Sequence, residues 1–85
     1  MSNFSIKIDS AVYGSSSVAV DVTAAAQNAL KGDDLKITAE TFGIPDPDPG
    51  VLKHCGIIAT VTNGSQKPQQ VVRMAHDFDV VDFFA

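Results

Sequence analysis

The chain has no tryptophan, one tyrosine and one cysteine, and only six of its 85 residues are lysine or arginine. With Cys55 alone, neither an intrachain disulfide nor a zinc site built from several thiolates of one chain can form. The six cations (Lys7, Lys31, Lys36, Lys53, Lys67 and Arg73) are scattered, and ten acids leave a net charge of −4. Counterion release from nucleic acid needs clustered cations, so nucleic acid is not an expected partner. Anionic membrane surfaces fall to the same argument. The longest apolar, β-branched run, Val51 to Thr62, is too short to span a bilayer, so membrane insertion is not expected. Met1 to Ser5 shows neither a charged n-region nor an apolar core. The default expectation is therefore a cytoplasmic location, although a secreted fragment starting at an engineered methionine would read the same way.

A hydrophobic content of 45% places the chain among globular proteins, and its length makes residues 1–85 a single domain. Gly43-Ile44-Pro45-Asp46-Pro47-Asp48-Pro49-Gly50 carries three prolines at alternate positions. Proline fixes its own φ and bars the residue before it from helical geometry, so this segment is a stiff, extended loop between two glycines.

Around that loop the periodicity is mostly two. Phe4, Ile6 and Ile8 alternate with polar residues, and the pattern runs on loosely to Tyr13 before the Gly14 to Ser17 turn. Val18, Val20 and Val22 follow. Thr23 to Gly32 is alanine-rich and predicts one short helix, with Thr23 as N-cap, Gly32 as the C-terminal stop, and Val22, Ala26 and Leu30 on the packed face. Leu35 to about Phe42 reads as a strand, as do Leu52 to Thr62 and Gln69 to Ala75. Asp77 to Val80 alternates again, and Val81 to Phe84 breaks phase. The expected architecture is an all-β, small antiparallel β-sandwich of about six short strands with one short helix.

Asp21-Val22-Thr23, Gln27, Leu35-Lys36-Ile37 and Gly43, with Asp46-Pro47-Asp48-Pro49-Gly50 and Lys53, resemble the C-terminal domain of a mitochondrial DnaJ homologue family and its small stand-alone relatives. The resemblance covers about Tyr13 to Phe83. It implies a β-rich module without a known active site or cofactor. The chain departs from that family in lacking a J-domain and in the length of its Thr62 to Gln69 segment.

His54 beside Cys55 is the pairing that a thiol nucleophile would need. Adjacent strand residues point to opposite faces, however, so Cys55 is expected in the core with Ile57, Ala59 and Val61, and His54 on the rim. Asp46 and Asp48, with Glu40 or backbone carbonyls, could ligate Ca²⁺; against this, both carboxylates can shape turns by binding nearby amides. Asp77, Asp79 and Asp82 read as a solvated strand face. Tyr13, with Asn63, Gln66 and Gln69, could form a carbohydrate site, a ring platform flanked by amides; otherwise Tyr13 closes one end of the core with its hydroxyl in water. Phe83 and Phe84 cannot both enter one core, so one of them is expected inside and the other at a subunit interface. No nucleophile, base and orienting group assemble, so no enzyme and no cofactor are expected. The resulting expectation is a non-enzymatic protein-interaction module, most simply a homodimer, with a small glycan-binding lectin as the alternative.

Overall fold

Ile6 and Ile8 point inward from the first strand, and so do Ala11 and Tyr13, although the two pairs are out of phase with each other. The shift is a β-bulge. A computed structural model describes residues 4–84, and in it strand β1 (Phe4–Gly14) pairs antiparallel with β4 (His54–Asn63) with a register break between Ile8 and Ser10. Asp9 is the extra residue there. The bulge keeps apolar side chains on one face across eleven residues. β1 also pairs with β2 (Ala19–Asp21), and β4 pairs with β5 (Gln69–His76), giving a four-stranded antiparallel sheet in the order β2-β1-β4-β5. Gly14 is required at the β1–β2 turn, since a side chain there would run into the Val18 carbonyl that bonds the Ser15 amide.

A second, two-stranded sheet joins β3 (Asp34–Lys36) to β6 (Val80–Asp82), and both sheets contribute to one core. Leu35, Ile37, Val81 and Phe83 from the smaller side meet Tyr13, Cys55 and Ile57 from the larger. Each fully buried aliphatic side chain of this kind contributes roughly 1.5–3 kcal/mol. The molecule is a small all-β fold, as its periodicity implies, with six strands among the described residues.

Helix α1 (Thr23–Ala29) lies where the alanine run predicts it, with Ala26 buried. Both predicted ends need correction. Val22 occupies the N-cap position without a side-chain cap, because the Thr23 hydroxyl accepts instead from the Ala11 amide of β1 at 3.0 Å. Gly32 belongs to the Lys31–Asp34 turn, and the helix ends before it, at Leu30.

The expected strand from Leu35 to Phe42 stops at Lys36. Thr38 takes an extended conformation and accepts from the Thr41 amide, opening a second helical turn, α2 (Ala39–Phe42), which Gly43 closes in the left-handed region. Capping at both ends overrides the strand pattern here. The Asp77 to Val80 alternation fails similarly: His76 to Asp79 is a turn, closed by the Asp79 amide on the His76 carbonyl and pinned by two backbone bonds to Ile37. Among the described residues no helix is long and apolar enough to cross a membrane.

Candidate functional site

The two faces of the four-stranded sheet differ from each other less than an isolated antiparallel sheet requires. One covers the core. On the other, Val12 lies opposite Gly56 and Gly56 opposite Met74, while one step along the sheet Ser10, Ile58 and Val72 form the next row. Val12, Ile58, Val72 and Met74 are all exposed, Met74 to 84%. Gly56 has no side chain to fill the middle, and an added Cβ would meet nothing within 4 Å. The result is a groove of about 430 Å³ with Val12 and Met74 on its flanks and His54, His76 and Asp79 at one end.

The rim is polar. The bulged residue Asp9 turns its carboxylate across the sheet to accept from Thr60 Oγ1 at 2.6 Å and from Gln70 Nε2 at 3.4 Å, with Lys7 Nζ at 4.0 Å. The Thr60 hydroxyl is the main reason that the Asp9 carboxyl sits below its ordinary range. His54 and His76 face each other across β4 and β5 with ring centroids 6.3 Å apart.

Below this face lies a buried polar cluster that periodicity did not disclose. Lys53, 3% exposed, places its ammonium 3.0 Å from Asp46 Oδ1 and 3.4 Å from Asp77 Oδ2. The same ammonium donates to the carbonyls of Asp48 and Val51. Asp77 also accepts from the Lys53 amide at 2.8 Å and from the Tyr13 hydroxyl. Asp77 is therefore buried, not part of a solvated acidic strand face; Asp79 is half-buried and Asp82 exposed.

Tyr13 is 1% exposed and packs edge-on against Phe42 at 5.2 Å, so it is neither a sugar platform nor an end-cap with a wet hydroxyl. The reason is chemical: a buried phenol needs a partner, and Asp77 supplies one. Asn63, Gln66 and Gln69 do come together, around the β4–β5 loop beside Phe84. Tyr13 pairs with Cys55 near the opposite end of β4, eight residues from Asn63 and so about 27 Å away. The four residues do not form one site.

Asp46 and Asp48 have protein partners. Asp46 Oδ1 accepts from the Asp48 amide and from Lys53, and Asp48 Oδ2 accepts from Ser15 Oγ at 2.7 Å. The positive charge that the calcium reading required is the Lys53 ammonium. Cys55 is buried on the face of Ile57 and Ala59, and burial pushes its thiol up to about 11; His54 points the other way. Phe83 is buried and Phe84 half-exposed, stacked edge-on against Phe4 at 5.0 Å.

Sequence reasoning missed the outer-face residues Val12, Val72 and Met74 as a group. The available signal was apolar residues in the phase opposite to the core: Ile58 with His54 and Gly56, and Met74 with Val72. No protein-family model, curated protein or solved structure matches this chain.

Proposed function

We propose that the chain is a non-enzymatic interaction module that associates with a second copy of itself through the outer face of its four-stranded sheet. One observation carries this reading: the face that solvent would make polar in a free antiparallel sheet instead holds Val12, Ile58, Val72 and Met74 around Gly56. An apolar centre containing a methionine, inside a rim of Lys7, Asp9, Thr60 and Gln70, has the anatomy of a protein contact. The molecule measures 43 × 20 × 19 Å, so one long side offers an area comparable to the ~800 Å² per partner of a stable interface. A two-fold arrangement seats each Met74 over the partner's Gly56 hollow, a self-complementary contact. The carbohydrate reading has no comparable support, since its aromatic platform is buried.

Light scattering on a sizing column tests the reading. The wild type should run as a dimer at high concentration. Val72→Lys and Met74→Lys, both at exposed positions, should run as folded monomers. A wild type that stays monomeric at about 1 mM, weaker than any useful association, overturns it.

A further inference from the structure

We propose that His54, His76 and Asp79 form a binding site for a divalent first-row transition ion, Zn²⁺ or Cu²⁺, at the end of the outer-face groove. The inference does not depend on self-association. His54 and His76 are the chain's two histidines, and they stand directly opposite each other on β4 and β5. The geometry of His76 is set by its backbone. Its Nδ1 lies 2.8 Å from the Asp77 carbonyl, which can only accept, so Nδ1 carries the proton and the neutral ring keeps a lone pair on Nε2. That lone pair faces Asp79 Oδ1 at 3.6 Å. Two acceptors thus face each other, and a proton or a metal ion between them resolves the contact. Asp79 is oriented too, because its Oδ2 accepts from the His76 amide at 3.0 Å. A carbonyl bonded to the far nitrogen of a ligating histidine is the usual second layer of a metal site.

His54 supplies the third ligand from the neighbouring strand. The two ring centroids are 6.3 Å apart. Metal–nitrogen bonds of about 2.0–2.1 Å at a tetrahedral angle bring such centroids to about 5 Å. The ligand atoms of His54, His76 and Asp79 do not all lie within 4.8 Å of one another, so the His54 ring must turn toward the other two to complete the site. The exposed His54 ring is free to make that rotation. Two imidazoles and one carboxylate suit Zn²⁺ or Cu²⁺ rather than Ca²⁺ or Mg²⁺, and leave a coordination position open to solvent or a further ligand.

Titration calorimetry with ZnCl₂ alone should show saturable binding in the micromolar range. His54→Gln and His76→Gln should each weaken it about tenfold or more, and Asp79→Asn less. Both histidines are exposed, so circular dichroism should report unchanged folds. Cu²⁺ electron paramagnetic resonance gives an independent measurement: nitrogen splitting from two imidazoles in the wild type, reduced to one in each single variant. Splitting that survives in the double histidine variant places copper elsewhere and overturns the site. Zinc binding that persists without both histidines but disappears in Asp82→Asn assigns the ion to the Asp33, Asp34 and Asp82 carboxylates and overturns it equally. Absence of saturable binding also overturns it.

Discussion

Lys53 and Asp77 are joined twice, once through the Lys53 amide, 2.8 Å from Asp77 Oδ2, and once through its ammonium, 3.4 Å from the same oxygen. The pair ties the proline loop to the turn after β5, because that ammonium also holds Asp46 and two loop carbonyls. Removing Asp77 leaves the Lys53 ammonium with Asp46 and two carbonyls. It also strips the buried Lys53 amide and Tyr13 hydroxyl of their acceptor and takes one of two carboxylates from the buried charge. Asp77→Ala should therefore cost about 3–5 kcal/mol in denaturant unfolding. Tyr13→Phe removes one of several bonds to Asp77 and should cost only about 1.5 kcal/mol. Equal losses from the two changes would show that the charge pair is not what holds this end of the molecule.

The same cluster predicts stability that falls at both pH extremes. The Lys53 ammonium and the Asp48 amide hold the Asp46 carboxyl below its ordinary value. Burial pushes Asp77 up, but the Tyr13 hydroxyl together with the amide and charge of Lys53 outweighs it and leaves Asp77 lowered. Groups lowered on folding stabilise above the unfolded value of 3.8 and lose that contribution as pH falls through their folded values. Burial, and then Asp77, raises Tyr13 above 10.0, so its contribution is complete below that pH and is lost as pH climbs. Asp33 behaves oppositely to Asp46 and Asp77, since burial and its hydrogen bond with Asp82 raise it. Its contribution is complete below 3.8 and disappears as pH rises. Asp33→Asn should accordingly raise the melting temperature at pH 7 and lose that advantage near pH 3. A gain that is the same at both pH values would rule out the shared proton as its origin.

Residues with alternating periodicity were readable. Ile57 and Cys55 fall inside and His54 outside because a strand allows nothing else. Two kinds of feature escaped. One is the register break at Asp9, which leaves no mark beyond a loosened alternation. The other is long-range pairing: Tyr13 finds Asp77 across 64 residues, and no local pattern encodes that contact. The motif residues Asp21, Thr23, Gln27, Asp46, Asp48 and Lys53 stood out in the sequence, yet each is bonded into the scaffold. The outer face stood out less, because exposed valines and a methionine have no distinctive spacing.

Gln27 illustrates that scaffolding role. Its side-chain amide accepts from the Ile8 amide at 2.6 Å and donates to the Ile6 carbonyl at 3.0 Å, taking the place of a neighbouring strand along the edge of β1. Gln27→Ala should cost about 1–3 kcal/mol and speed hydrogen exchange at the Ile8 amide. Gln27→Glu keeps the acceptor and loses the donor, so it should protect Ile8 while destabilising less. If exchange at Ile8 is unchanged in the alanine variant, water or another group satisfies the edge and the helix does not cap it.

Phe78 is the one non-glycine residue among those described with a positive φ, 76°. Its ring is 73% exposed, so little packing compensates for a backbone conformation that costs a bulky residue about 1–2 kcal/mol. The turn itself is well fixed: the Phe78 amide donates to Ile37 and the Asp79 carbonyl accepts from the Ile37 amide, both within 2.9 Å. Asparagine tolerates this region without the added chain freedom of glycine in the unfolded state. Phe78→Asn should therefore raise stability by up to about 1 kcal/mol, and Phe78→Gly by less. Thermal melts of the two variants beside the wild type decide the matter. If both melt lower, the ring makes contacts that offset the strain, and the apolar end formed by Leu52 and Phe78 belongs to the folding core rather than to the surface.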